Sequence, residues 1–277
     1  MSLQGLRKIT REGVRFQSHL DGSYHFFTPE KAMEIQKALG ADIIMVFDEC
    51  PSYPATKRYI AESMSLTLEW TKRCQEAHKG NDRQALFAIV QGGIYEDLRE
   101  ECAKQIIPMD FPGYAIGGLA VGEEKSHMYG ITSFLNEILP DYKPRYLMGV
   151  GTPLDLIVNV MNGVDMFDCV MPTRNARKGT VFTTQGKLII KAARYKEDLN
   201  PLDSGCDCYT CRTFSRAYLR HLFNIDEILA MRLASLHSVH YYNNLMKRIR
   251  EAIRMDRLRP LLEEIKSLYE DNNPGII

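Results

Sequence analysis

The chain has 277 residues, 45% of them apolar, enough for one large domain or a domain with an appendage. No stretch approaches the roughly 18 to 20 unbroken apolar residues of a membrane span, and the opening "MSLQGLRKITREG" lacks the apolar core of a secretory leader, so the sequence reads as soluble and cytoplasmic with no membrane partner. Thirty-five Lys and Arg balance thirty-five Asp and Glu, which excludes a global field drawing a polyanion to every face.

The segment "GVRFQSHLDGSYHFFTPEKAMEIQKALG" predicts a hairpin and then a helix: Asp21-Gly22 makes the turn, Thr28 caps, Pro29 opens the helix and Gly40 ends it. Short, almost wholly apolar runs follow at 42–48, 85–92, 113–119, 145–151 and 165–172, separated by helical periodicity over 56–78, 95–107, 125–138 and 153–162. Strands apolar on both faces that alternate with amphipathic helices predict a parallel sheet covered by helices, hence an α/β fold. Each run ends on a polar or glycine-rich group: Asp48, Gln91, Gly117-Gly118, Gly149-Val150-Gly151 and Asp168. Functional groups at many successive strand ends suit a (β/α)8 TIM-type barrel better than a doubly wound sheet, which concentrates them at one switch point. Five units are evident where a complete barrel has eight, so the expectation is a barrel incomplete at the N-terminal side, its first strands lying upstream of Met1.

Beyond residue 172 the pattern changes. "GTVFTTQGKLII" predicts a small antiparallel hairpin around Gln185-Gly186, and helices follow from about Ser215 to Tyr269. Between Arg174 and Lys196 there are seven basic residues and no acidic one, and Arg212, Arg216 and Arg220 form a second basic group. The expected organisation is barrel units over 1–172, a small basic subdomain with a zinc site over 173–237, and C-terminal helices over 238–277 packing on both.

"GCDCYTCRT" places Cys206, Cys208 and Cys211 in a tight knuckle, the spacing of a zinc site in a reducing compartment. Cys50, Cys74, Cys102 and Cys169 stand singly and read as reduced thiols. A closed structural site needs a fourth ligand, for which His221, His237 and His240 are candidates; an open one would leave water there. Asp48 and Asp168 both end apolar runs, where an ionised carboxylate is costly without partners or a task. With Gln91 and a Gly-Gly pair between them, they suit recognition of the edge of a planar heterocycle, and a carboxylate beside such a base is suited to attack a sugar carbon of oxocarbenium character. Arg174 and Arg177 follow Asp168 and suit phosphates and base edges. A zinc-dependent barrel hydrolase is the remaining reading, and it would need an open metal position at the barrel mouth.

The motifs "FDECP" (47–51), "VQGG" (90–93), "GYAIGGLAVGE" (113–123), "PRYLMGVGTP" (144–153), "DMFDCVMPTRNAR" (165–177) and "CDCYTCRTFSRAYL" (206–219), in this order, resemble those of the bacterial tRNA-guanine transglycosylase family. The resemblance runs through essentially the whole chain. It implies exchange of guanine at the wobble position of tRNA for 7-aminomethyl-7-deazaguanine in queuosine biosynthesis, through a covalent Asp-ribose intermediate, by a homodimer acting on the anticodon arm. It implies that Asp168 is the nucleophile and that Asp48 binds the N–H edge of the base. Gln91 and the Gly118 amide would bind its carbonyl, the Leu119 carbonyl would accept from the aminomethyl group, and Met148 would form an apolar wall. Cys50 and Val121 resemble the bacterial pocket, which takes the small aminomethyl base. Gly149, Val150, Gly151, Thr152, Pro153, Leu154 and Asp155, with Thr173, Arg174, Asn175, Ala176 and Arg177, resemble the RNA-binding stretches. The resemblance also selects His237 as the fourth ligand of one structural Zn2+ per chain. The departure is at the front: Met1-Ser2-Leu3 aligns just after the family's Asp-Ser-Gly-Gly motif, whose Asp is the general acid/base. The alternative expectation is therefore a shortened, non-catalytic tRNA-binding or partner subunit of the same family.

Overall fold

A computed structural model describes residues 4–269. The alignment of Met1 to Leu3 and the last eight residues of the expected C-terminal helices lie outside the described residues. The chain divides into two compact units, residues 1–149 with 162–167, and residues 150–161 with 168–277.

In the first unit, β1 (Arg7–Ile9), β2 (Val14–Gln17) and β3 (Tyr24–Phe27) form an antiparallel sheet in the order β1-β2-β3. Thr28 caps α1 (Pro29–Leu39) by accepting from the Lys31 N–H, and Gly40 closes it at φ 73°, a left-handed conformation that costs glycine nothing. The short β1 carries two charges in three residues and so shows no strand periodicity in the sequence.

The parallel sheet is built in chain order from β4 (Ile43–Met45), α2 (Lys57–His78), β5 (Ala85–Val90), α3 (Glu96–Ile106), β6 (Gly113–Ile116), α4 (Lys125–Asn136), β7 (Arg145–Leu147), α5 (Pro153–Met161) and β8 (Met166–Phe167). Its strands pair in the order β4-β5-β6-β7-β8, every neighbour parallel and none out of sequence. A doubly wound sheet reverses direction at a switch point, and this one does not, which is the strand order of a (β/α)8 barrel. Residues pointing to both faces of β5 and β6 are buried, as the unbroken apolar runs require. At Gly113 a Cβ would run into the Phe87 ring, so the glycine is what lets these two strands pack.

Polar ties fix α1 to this sheet and α2 to the loop between β1 and β2. The Gln36 side chain donates to the Met45 carbonyl and accepts from the Met45 N–H, each at 2.9 Å, pinning α1 to β4. Trp70, with no exposed surface, stacks on Phe47 at 4.9 Å and donates Nε1 to the Arg11 carbonyl at 2.8 Å.

The second unit contains α5 and then α6 (Met171–Arg177), β9 (Thr180–Thr183), β10 (Gly186–Ile189), α7 (Tyr209–Thr213), α8 (Arg216–Asn224), α9 (Ile228–Arg254) and α10 (Leu258–Tyr269). The run at 165–172 is strand only at 166–167, and its end begins α6, where Pro172 sits in the first turn and favours helix. The hairpin turns on Thr184-Gln185, one residue earlier than expected, because Thr183 pairs with Gly186. Val181, Leu188, Leu202, Leu219, Phe223 and Leu233 centre an apolar core that joins the hairpin to α8 and α9. Among the described residues no helix is long and apolar enough to cross a membrane.

Ile89, 1% exposed in the middle of β5, is the position at which the sheet core is tested. Ile89→Ala is expected to lower the unfolding free energy by about 2 to 5 kcal/mol in urea titration, and a loss below about 1 kcal/mol would contradict this packing.

Candidate active site and metal centre

Strands that run parallel in one sheet deliver the residues after them to one edge. In the first unit these are Asp48, three residues past β4, Gln91 directly past β5, Gly117-Gly118 directly past β6 and Met148 directly past β7. The structure brings Asp48 and Gln91 together, with Gln91 Nε2 donating to Asp48 Oδ2 at 2.7 Å. Burial pushes the Asp48 carboxyl above the usual range; the Gln91 bond opposes this, and the neighbouring Glu49 carboxylate adds to it. Asp48 is therefore an acceptor short of donors, which suits a ligand that brings N–H groups.

Neighbouring residues hold this loop in place. Glu49, 6% exposed, accepts from the Tyr59 hydroxyl at 2.5 Å and donates its N–H to Thr67 Oγ1 at 3.0 Å, stapling the Asp-Glu-Cys segment to α2. That bond pushes the Tyr59 phenol up to about 12. Burial raises the Cys50 thiol, toward which the Gly118 N–H points, so Cys50 stands as a neutral wall residue. Asp48 and Cys50 line a cleft of about 210 Å³ with Phe16, Phe27, Phe47 and Trp70, while Gln91, Gly118 and Val121 line a second, narrower one with Tyr53 and Tyr95.

The glycine pair makes room first for a side chain of the protein. A Cβ at Gly117 would lie 2.8 Å from Gln91 Nε2, and one at Gly118, whose φ is 65°, would lie against Gln91 Oε1. Leu119 is buried and Met148 half-buried. Sequence reasoning misses Glu123, whose carboxylate accepts from the Ala120 and Val121 amides at 2.5 and 2.9 Å and holds the loop in which Ala120 has φ 56°. It also misses Arg99, although helical spacing from Cys102, Ala103 and Ile106 puts that arginine on the buried face of α3.

In the second unit Asp168 is exposed, which corrects the expectation that its position after an apolar run leaves it poorly solvated. Of the stretch from Gly149 to Asp155, Gly149 is exposed and belongs to the first unit, Thr152 and Leu154 are half-buried, and Val150, Gly151, Pro153 and Asp155 are buried. The Asp155 N–H donates to Thr152 Oγ1 at 3.1 Å, and Gly151 O accepts from the Tyr242 hydroxyl at 2.7 Å. On α6, Arg174 and Arg177 are exposed, Thr173 and Asn175 half-buried and Ala176 fully buried. In the second basic group only Arg212 is exposed: Arg216 pairs with Asp198 at 3.1 Å and Arg220 donates to Ala192 O at 3.1 Å, so both are occupied within the protein.

Cys206, Cys208, Cys211 and His237 come together, their ligand atoms all within 4.8 Å of one another, in a group that could hold a metal ion. The three Sγ atoms lie 3.6, 3.7 and 3.3 Å from His237 Nδ1. Tetrahedral zinc with ordinary Zn–S and Zn–N bonds separates S from N by about 3.6 Å, so the donor set fits that ion. His237 Nε2 is 3.0 Å from the Phe182 carbonyl, which can only accept; this assigns the proton to Nε2 and leaves the Nδ1 lone pair for a metal. His240, one turn on, is engaged instead by Asp207 at 2.7 Å and Asn244 at 2.9 Å, and His221 is exposed.

The family model described as queuine tRNA-ribosyltransferase matches residues 1–271. The chain belongs to the queuine tRNA-ribosyltransferase family. A queuine tRNA-ribosyltransferase of Caldanaerobacter subterraneus subsp. tengcongensis is 63% identical over 271 residues, 98% of this chain and 72% of the relative. Relatives of the same name in Desulforamulus reducens and Lysinibacillus sphaericus are 56% identical over 268 residues and 53% over 274, covering 97% and 99% of this chain and 72% of each relative. In this queuine tRNA-ribosyltransferase family member the four-ligand group makes a prediction that separates neighbouring histidines. His237→Ala is expected to lose stoichiometric bound metal and to lower the thermal midpoint, and His240→Ala to retain the metal; elemental analysis showing the reverse would reassign the fourth ligand.

Asp48 gives a pH-dependent prediction. Because its folded pKa lies above the unfolded value of 3.8, the ionised carboxylate destabilises the fold fully above the folded pKa, and the penalty vanishes below 3.8. Asp48→Asn should therefore be more stable than the parent at pH 7 and converge on it in acid. Equal or lower stability at pH 7 in denaturant titration would contradict the burial argument.

Proposed function

We propose that this chain is a tRNA base-exchange glycosyltransferase that replaces guanine at the wobble position with 7-aminomethyl-7-deazaguanine. The observation that carries the reading is the Asp48 to Gln91 pair at the strand ends, a donor-poor acceptor bonded to an amide, each lining its own cleft, in a chain of this family. Asp48 accepts from the base N–H edge. Gln91 Nε2 and the Gly118 N–H donate to its carbonyl, the Leu119 carbonyl takes the aminomethyl group, and Met148, Cys50 and Val121 form the walls.

Asp168 serves as the nucleophile. Its carboxylate oxygen forms a bond to the ribose anomeric carbon while the bond from that carbon to guanine breaks, and guanine leaves with the bonding electron pair and takes up a proton. The incoming base gives up a proton, attacks the same carbon and releases Asp168, so the RNA backbone is never cut and no ATP is consumed. Its direct succession to β8 and its solvent exposure support this role. The exposed Arg174 and Arg177 hold RNA phosphates, with Gly149 to Asp155 and Thr173 to Arg177 shaping the backbone around the anticodon arm. The Cys3His group takes Zn2+ as a structural ion that fixes the basic segment within 173–237. Family resemblance supports a cytoplasmic homodimer.

Asp168→Asn is expected to abolish both labelled-guanine incorporation into tRNA and the RNA adduct seen on a denaturing gel. Full exchange by that variant would remove the nucleophile assignment. Salt-sensitive tRNA binding without exchange by the parent chain would contradict the proposed activity.

A further inference from the structure

Arg99 has no exposed surface, yet its cation has no ion-pair partner among the described residues. The guanidinium reaches back from α3 under the Val-Gln-Gly-Gly turn, donating Nη1 to Val90 O at 2.7 Å and Nε to Gly93 O at 2.9 Å, so that it brackets Gln91. Nη2 has no hydrogen-bond partner. Burial lowers the guanidinium only to about 10, so it is charged at neutral pH. A buried cation with a spare donor is costly, and a well-packed apolar side chain at the same place would cost less.

Its surroundings show what the charge acts on. At Gly92, whose φ is 141°, a Cβ would lie 2.8 Å from the Arg99 backbone nitrogen, so α3 approaches this turn too closely for any side chain to intervene. A Cβ at Gly118 would touch Gln91 Oε1 and lie 3.7 Å from Arg99 Nη2, so the amide oxygen and the spare donor border the same small space. On its other side the Gln91 amide gives Nε2 to Asp48. The two ends of a carboxamide have nearly the same shape, and the charges around it decide which end points where. A cation on the inner side selects the oxygen and a carboxylate on the outer side selects the NH2, so both neighbours impose one orientation. Once a bound base occupies Asp48 with its own N–H groups, Arg99 is the fixed charge that remains.

We propose that Arg99 is a positioning residue: its buried charge keeps the Gln91 carboxamide with oxygen inward and NH2 outward, so that the pocket offers a donor and selects a six-position carbonyl over a six-position amino group. This rests on the reading of Gln91 as the partner of the base carbonyl. With a neutral residue at position 99 the amide turns over at little cost and presents its oxygen to an amino base.

The test is calorimetric titration of the purified chain and its variants with guanine and with 2,6-diaminopurine, which carries an amino group at the six-position. The parent is expected to prefer guanine. Arg99→Lys, which keeps the charge, should hold that preference within about threefold, whereas the neutral variants Arg99→Gln and Arg99→Met should each lower it at least about tenfold. Circular dichroism identifies which variants are folded, and either neutral variant suffices if the other does not fold. A guanine preference unchanged in a folded neutral variant overturns the proposal, as does loss of both bases by the same factor, which is what a purely structural arginine would give. Absence of guanine binding in the parent would instead remove the carbonyl reading of Gln91, and the proposal with it.

Discussion

A half-buried carboxylate answered by an amide, with no ion-paired cation among the described residues, sets the character of the first unit. Burial raises the Asp48 carboxyl, and among the described residues Gln91 is the side chain that donates to it. Around this pair the structure spends much of its local order. Glu49 is stapled to α2, the Gly117-Gly118 pair makes way for the Gln91 side chain, and Arg99 clamps the turn on either side of it. Such an arrangement is destabilising alone and becomes favourable when a ligand supplies the missing donors, as expected of a binding site maintained against folding stability.

The second unit depends on a different constraint. Three thiols and one imidazole meet in a cluster, buried except for the half-buried Cys206, with spacings that suit tetrahedral coordination, and the apolar core beside it contains Cys208 and Cys211 themselves. The Phe182 carbonyl on β9 orients the His237 ring from α9, so the Cys3His group, the hairpin and the long helix form one mechanical unit. The basic residues displayed there are mostly exposed, whereas Arg216 and Arg220 are consumed by the fold.

What the sequence reveals follows from how local each signal is. Thr28, Pro29 and Gly40 mark a helix unaided, because a cap acts within three residues. The parallel strands are visible as apolar runs, but the runs outlast the strands: Val46 and Leu119 are buried beyond the ends of β4 and β6. Pro172 carries the signal that α6 begins inside the last run, and continuous apolarity hides it. Gln91 stands out as a polar residue ending a buried strand, whereas Arg99 and Glu123 look like ordinary helix and loop charges until the turn they hold is seen. The exposure of Asp168 depends on where the chain goes after β8, which no pattern within the run encodes.

The proposed activity requires Asp48 and Gln91 to act together on the edge of a base. A crystal structure of this chain with guanine tests it directly. It should place base N–H groups on the Asp48 carboxylate and the base carbonyl on Gln91 Nε2 and the Gly118 N–H, with the direct bond from Gln91 to Asp48 broken. Guanine bound elsewhere, or bound with the Gln91 to Asp48 bond intact, would contradict it.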